Sequence, residues 1–248
     1  MSAPTWLTAR PIAHRGLHDA ARGIYENTLS AADAAARAEF AIECDVQDTA
    51  DGEAMVFHDH TLDRLTGERG PVRERTAAAL QALMIGGTAD RIPTLAEFLG
   101  LIAGRVPLVV EVKSRFDGSL GLTRRTLEVI AGYDGPVAIK SFDPNVVATV
   151  RALAPELPRG IVAEARYEHP SYDALPRETK VELANLLHWP ATEPHFVSWK
   201  VTDLPHAAPF LARTLGGVPV MAWTVRTPDD RARATARADQ IVFENFVP

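Results

Sequence analysis

The chain has 248 residues, long for an average domain but ordinary for one α/β barrel, which runs to about 250. Its net charge of -6 argues against a nucleic-acid partner, because binding a polyanion needs a basic face, yet leaves room for a small anionic substrate that answers to local charge. A single cysteine, Cys44, excludes an intrachain disulfide, and no apolar run approaches the ~20 residues of a membrane span. The first residues hold no apolar stretch of signal-peptide length, which points to a cytoplasmic protein.

Short apolar runs alternate with longer Ala/Leu/Arg-rich stretches. Pro11 to Ala13 reads as a short strand. Thr28 to Ala38 has helical spacing, capped by Asn27 or Thr28. Phe40 to Val46 is a strand, and the Asp51-Gly52 turn leads into an accessory strand at Ala54 to Phe57. Thr61 to Arg91 is irregular and reads as an insertion after the second strand. From Thr94 onward the alternation is regular. Helices are expected at Thr94 to Ala103, Leu120 to Gly132, Pro144 to Leu153, Glu178 to Leu187, Pro209 to Leu215 and Asp229 to Ala238. The strands between and after them are Pro107 to Val112, Pro136 to Ile139, Arg159 to Ala163, Phe196 to Val201, Val218 to Val225 and Gln240 to Phe243. Repeated strand-helix units imply a parallel sheet covered by helices. Eight principal strands in a chain of this size favour a closed TIM-type (β/α)8 barrel, a single domain over residues 1–248, above an open doubly wound sheet.

A barrel carries its chemistry at the C-terminal ends of its strands. In Ile42-Glu43-Cys44-Asp45-Val46 the period-2 alternation puts Glu43 and Asp45 on one face and the apolar residues on the other. If the apolar set packs on the helices, two carboxylates share the barrel mouth. Such a pair is costly unless a proton or a cation separates it, and a hard divalent ion with oxygen ligands fits. The bland alternative, solvated acids, suits an edge strand and not a helix-covered one. Glu111 and Lys113 end the apolar run Leu108 to Val110 on one face. They are either a third carboxylate ligand with a phosphate-holding lysine, or a structural ion pair. His14-Arg15-Gly16 follows the first strand. Arginine suits bidentate phosphate contact, and histidine suits proton transfer near neutral pH. His58-Asp59 ends the accessory strand. Trp223 is either core or a wall of the pocket. Cys44 reads as a small core residue. His18, His60, His169, His188, His195 and His206 receive no role, and the arginines from Arg226 to Arg237 read as a solvated helix face.

Taken together these pieces resemble the glycerophosphodiester phosphodiesterase family. The resemblance begins with Ala13-His14-Arg15-Gly16 and Glu26-Asn27-Thr28. It runs through Glu43-Cys44-Asp45-Val46 and Val56-Phe57-His58-Asp59 to Thr61-Leu62-Asp63-Arg64-Leu65-Thr66. Weaker echoes are Ile92-Pro93-Thr94-Leu95, Glu111-Val112-Lys113, Ser141-Phe142 and Ala222-Trp223-Thr224-Val225. The resemblance implies a TIM-type barrel and a small-molecule phosphodiester substrate. It implies a divalent cation, calcium or magnesium, held by Glu43, Asp45 and Glu111. It also implies His14 and His58 as the general acid/base pair, Arg15 on the phosphate and Lys113 in supporting contact. Trp223, within the echo Ala222 to Val225, is placed with the substrate-binding residues. The closing strand departs from the family pattern. The segment Asp239 to Pro248 keeps the strand but alters the family's Asp position, so no role is carried over from it. Tyr167 to Lys200 holds no motif and is expected to shape the alcohol end of the pocket.

Overall fold

The computed structural model describes residues 2–248. A short helix α1 (Trp6–Ala9) precedes β1 (Ile12–Ala13), α2 (Leu29–Arg37), β2 (Ala41–Asp48) and β3 (Ala54–Val56). Then come α3 (Ala77–Gln81), α4 (Leu95–Ile102), β4 (Leu108–Val112), α5 (Gly121–Ile130), β5 (Val137–Ser141), α6 (Pro144–Leu153) and β6 (Arg159–Ala163). The chain finishes with α7 (Arg177–Ala184), α8 (Trp189–Thr192), β7 (Phe196–Lys200), α9 (Ala207–Thr214), β8 (Val220–Val225), α10 (Pro228–Arg237) and β9 (Gln240–Phe243).

Eight of these strands run parallel in the cyclic order β1-β2-β4-β5-β6-β7-β8-β9, and the β9–β1 and β1–β2 pairings close the ring. This is the TIM-type (β/α)8 fold. β3 stands outside the ring as an antiparallel ribbon on the end of β2, with Val46 opposite Val56. The insertion that follows β3 is less structureless than its sequence suggests. It contains α3, and its Leu62, Val72, Leu80 and Ile85 form a second small core with Met55 of β3, Phe57 and Ile92.

The outward side chains of β2, Ile42, Cys44 and Val46, join the layer between barrel and helices, where Ala32 and Ala35 of α2 and Leu99 of α4 meet them. The inward side chains divide by height. At the base, Ile12, Ala41, Val109, Ala138, Phe196, Met221 and Val242 fill the barrel with apolar volume. Leu7 of α1, a helix that periodicity does not reveal, plugs this end. Above that layer the inward residues turn polar, and the C-terminal mouth begins. Helix α2 is capped by Thr28, whose hydroxyl accepts from the Ala31 N–H. Asn27 is thereby left free to face the site. Gly16 is required where α2 presses on the β1 turn: its φ is +81°, and a Cβ there would lie 2.8 Å from Ala31. Among the described residues, no helix is long and apolar enough to cross a membrane.

Candidate active site

The strand register brings the site together. Pairing of β2 with β4 sets Asp45 beside Glu111, and pairing of β4 with β5 sets Glu111 beside Lys140. Glu43 lies one inward step below Asp45 on β2. Carboxylate oxygens of Glu43, Asp45 and Glu111 consequently lie within 4.8 Å of one another, all three residues buried. Three cationic groups face them. Lys113 Nζ is 2.7 Å from Asp45 and 2.5 Å from Glu111. Lys140 Nζ is 3.0 Å from Glu43 and 3.1 Å from Glu111. Arg15 Nε is 3.3 Å from Asp45. Burial alone would push the Asp45 and Glu111 carboxyls up, but the neighbouring cations outweigh it. They hold Asp45 well below the usual carboxylate range, and Glu111 falls to about 2. Burial depresses the ammonium of Lys140 less than Glu43 and Glu111 raise it.

The sequence does not mark Lys140 for the site. A lone lysine near the end of Val137-Ala138-Ile139-Lys140-Ser141 carries no motif, and only the lateral register with Glu111 marks it.

Asn27 grips Asp45 twice. Its amide donates to Asp45 Oδ2 over 2.9 Å, and its side-chain oxygen accepts from the Asp45 N–H over 3.2 Å. This holds the carboxylate in one rotamer. Asn27 and Arg15 are both left-handed, at φ 58° and 57°, and the Asn27 N–H donates to the Arg15 carbonyl. Such strain in non-glycine residues persists only where surrounding contacts enforce it. The Arg15 guanidinium bonds Glu26 over 2.6 Å.

The two histidines follow separate strands but have similar surroundings. His14 follows β1, and its Nδ1 lies 2.5 Å from Glu244 while its Nε2 side faces Glu43 at 4.0 Å. His58 follows β3, with Nδ1 2.7 Å from Asp59. Asp59 in turn accepts from Arg64, and Arg64 also donates two hydrogen bonds to Glu26. Arg15, Glu26, Arg64, Asp59 and His58 therefore form one charged chain that ties the insertion to the mouth of the barrel.

Beside these groups opens a cavity of about 650 Å³. His58, Glu111 and Lys113 border it on one side, and Phe116, Phe142, Tyr172 and Trp223 form apolar walls. Trp223 is thus a pocket wall, with its indole N–H donating to the Ser198 carbonyl and its ring edge-on to Phe142 at 5.4 Å. The segment Tyr167 to Lys200 supplies His169, Ser171, Tyr172 and Lys200 to the lining, where Lys200 pairs with the buried Glu164 at 2.5 Å. Cys44 points away from the cavity, fully buried, its thiol pushed up by desolvation.

Three readings of the sequence need correction. The closing strand does reach the site, because β9 pairs with β1 and delivers Glu244 to His14. Arg226 is not merely solvated: its Nε bonds Glu244 over 2.5 Å. Of the histidines given no role, three lie near the site: His18 is 3.6 Å from Glu244, and His60 and His169 line the cavity.

Comparison with known proteins decides the family. The profile of the glycerophosphoryl diester phosphodiesterase family matches residues 14–246. The chain belongs to that family. Its members are phosphoric diester hydrolases, and the relatives agree. A glycerophosphodiester phosphodiesterase of Caldanaerobacter subterraneus subsp. tengcongensis is 33% identical over 177 residues, covering 67% of this chain and 72% of that protein. A solved glycerophosphodiester phosphodiesterase of Agrobacterium tumefaciens superposes with a TM-score of 0.65 at 25% identity, covering 94% of each chain. An Oleispira antarctica phosphodiesterase, solved in complex with sn-glycerol-3-phosphate, shares the fold with a TM-score of 0.74 at 22% identity over 98% of this chain and 93% of that one.

Proposed function

We propose that this protein hydrolyses glycerophosphodiesters to glycerol 3-phosphate and an alcohol, using a divalent cation at Glu43, Asp45 and Glu111 and proton transfer by His14 and His58. The observation that carries this reading is the buried carboxylate triad flanked by two histidines, each backed by its own carboxylate. The donor set fits a hard cation such as calcium or magnesium, which takes oxygen ligands at about 2.0–2.6 Å. Glu43 Oε1 is buried and 3.0 Å from Lys140, yet receives no aligned hydrogen bond, so it has a lone pair to offer. When bound, the cation supplies Lewis-acid neutralisation of the phosphate oxygens.

The chain's own groups do the rest. Arg15 and Lys113 carry positive charge to the rim of the triad, where the non-bridging oxygens of a diester anion would sit. Their charge counters the repulsion that protects such an anion from a nucleophile. His14 and His58 present their Nε2 atoms to the site, because Nδ1 of each is engaged by a carboxylate. One histidine takes a proton from the attacking oxygen and the other gives one to the leaving alcohol, each transfer contributing ~10²–10⁴-fold. The aromatic walls close one arm of the substrate away from water. The protein works in this reading as one domain over residues 1–248 in the cytoplasm, on a small-molecule substrate.

The test follows glycerol 3-phosphate release from glycerophosphocholine by protein stripped of metal and then given calcium or magnesium. Turnover restored by either ion supports the reading. Preference for a lysophospholipid over its deacylated product would move the activity to a phospholipase type. Binding without turnover at any metal would make the barrel a phosphate-ester binder.

A further inference from the structure

We infer that Glu244 is the positioning residue for His14, and that Arg226 fixes which way Glu244 can act. The inference rests on the reading of His14 as a proton-transfer group and deepens it. The sequence alone assigns Glu244 no role, since it stands 230 positions from His14 in the closing segment where the family's Asp position is altered. The barrel brings the two together by closing. β9 pairs with β1, the His14 N–H donates to the Phe243 carbonyl over 2.9 Å, and the next residue, Glu244, turns its side chain onto the imidazole.

The contact has a defined polarity. An ionised carboxylate only accepts, so the 2.5 Å contact from Glu244 Oε2 puts the proton of a neutral His14 on Nδ1. The lone pair then sits on Nε2, on the side of Glu43 and the triad. Glu244 stays ionised because its charge is shared: burial pushes the carboxyl up, but His14, His18 and Arg226 hold it far below the usual range. The other oxygen, Oε1, accepts from Arg226 Nε over 2.5 Å. Both oxygens are therefore committed, one to a guanidinium that can only donate and one to the imidazole. Asp59 backs His58 with a related but different arrangement: Arg64 donates to both of its oxygens, and Oδ1 also faces His58 Nδ1. The two proton-transfer groups thus carry two separate Arg–carboxylate supports, one from the closing strand and one from the insertion.

The clamp makes an unusual prediction for Glu244→Gln. Arg226 demands an oxygen, so the glutamine carbonyl turns toward Arg226 and its NH2 toward His14. Nδ1 must then accept, and the proton moves to Nε2, where it blocks the lone pair. The fold should survive, because the change is isosteric and the site sits at the barrel rim. With glycerophosphocholine and saturating metal, kcat should fall on the order of 10²–10⁴-fold while KM stays within ~3-fold, as expected when a catalytic histidine is held in the wrong tautomer. Long-range 15N–1H correlation spectra of the histidine ring, recorded on the same full-length protein without substrate, should show His14 changing from the Nδ1–H to the Nε2–H form. Glu244→Asp keeps an acceptor-only group and should recover turnover to within ~10-fold of the parent. The double variant E244Q/R226A frees the amide to turn its oxygen to His14, and should be faster than E244Q alone. Arg226 is half exposed, so its loss leaves the fold intact.

Wild-type kcat in Glu244→Gln, or an unchanged His14 tautomer, would overturn the inference. So would a double variant slower than E244Q. A fully active His14→Gln would instead sink the proton-transfer reading itself. The tautomer measurement needs no turnover, so it still decides whether Glu244 orients the ring.

Discussion

Replacing Lys140 by methionine tests whether the carboxylate triad is held together by charge. Glu43, Asp45 and Glu111 face Lys113, Lys140 and Arg15 in a buried cluster, so positive and negative groups balance. Methionine keeps most of the side-chain volume and removes one positive charge, leaving Glu43 and Glu111 without their shared partner. Stranding a charge by removing one member of a buried ion pair costs about 3–5 kcal/mol. For a chain of this length each kcal/mol lowers Tm by about 2–4 °C, so metal-free K140M should melt roughly 6–20 °C below the parent. Part of that loss should return on adding calcium or magnesium, because a bound cation replaces the missing charge. Differential scanning calorimetry with chelator and then with excess metal measures both quantities. A metal-free K140M within 1–2 °C of the parent would refute the charge balance, and metal that fails to recover any stability would separate the triad from cation binding.

Other perturbations follow from the same physical picture. Gly16→Ala forces a left-handed φ on a residue with a Cβ and drives that Cβ into Ala31, so urea denaturation should show a loss of at least about 2 kcal/mol. His188 is buried beside Thr192 with Nε2 unpartnered, and desolvation lowers its pKa to about 4. Its folded pKa lies below the unfolded ~6.5, so its contribution is complete above pH 6.5 and is lost as pH falls toward 4. That loss is roughly 3 kcal/mol at most. Denaturation midpoints of His188→Gln should accordingly lack this acid-side slope; a variant that keeps it would assign the slope elsewhere. His14→Gln and His58→Gln should each lose ~10²-fold or more in kcat while melting within a few degrees of the parent, and an active variant of either would remove that histidine from the chemistry.

The parts of the site that the sequence reveals are those in which one segment carries the signal. The alternation in Ile42 to Val46 places two carboxylates inside the barrel because period 2 is a local property of a strand. The acidic end of Leu108 to Val112 follows the same logic, and the eight repeats count out the barrel. What escapes is set by pairing between distant segments. Lys140 becomes a site residue only because β5 registers Lys140 against Glu111. Glu244 does so only because β9 closes on β1. Leu7 shows the same limit in the core: a four-residue helix has too little periodicity to read, and its purpose appears only when the barrel base must be filled. For Trp223 the residue type alone leaves core and pocket wall open, since both demand the same apolar bulk; its placement toward the substrate comes from the surrounding motif, and the cavity beside Phe142 agrees with it.

In the proposed reaction one triad binds a cation, and this cation serves diester hydrolysis at the two histidines. This is tested most directly by titrating metal-free protein with calcium or magnesium while recording heat of binding and, in parallel samples, glycerol 3-phosphate release from glycerophosphocholine. Occupancy and turnover should rise together in the parent, and Asp45→Asn should lose both. Turnover in the fully stripped protein, or undiminished metal binding by Asp45→Asn, would contradict the proposed reaction.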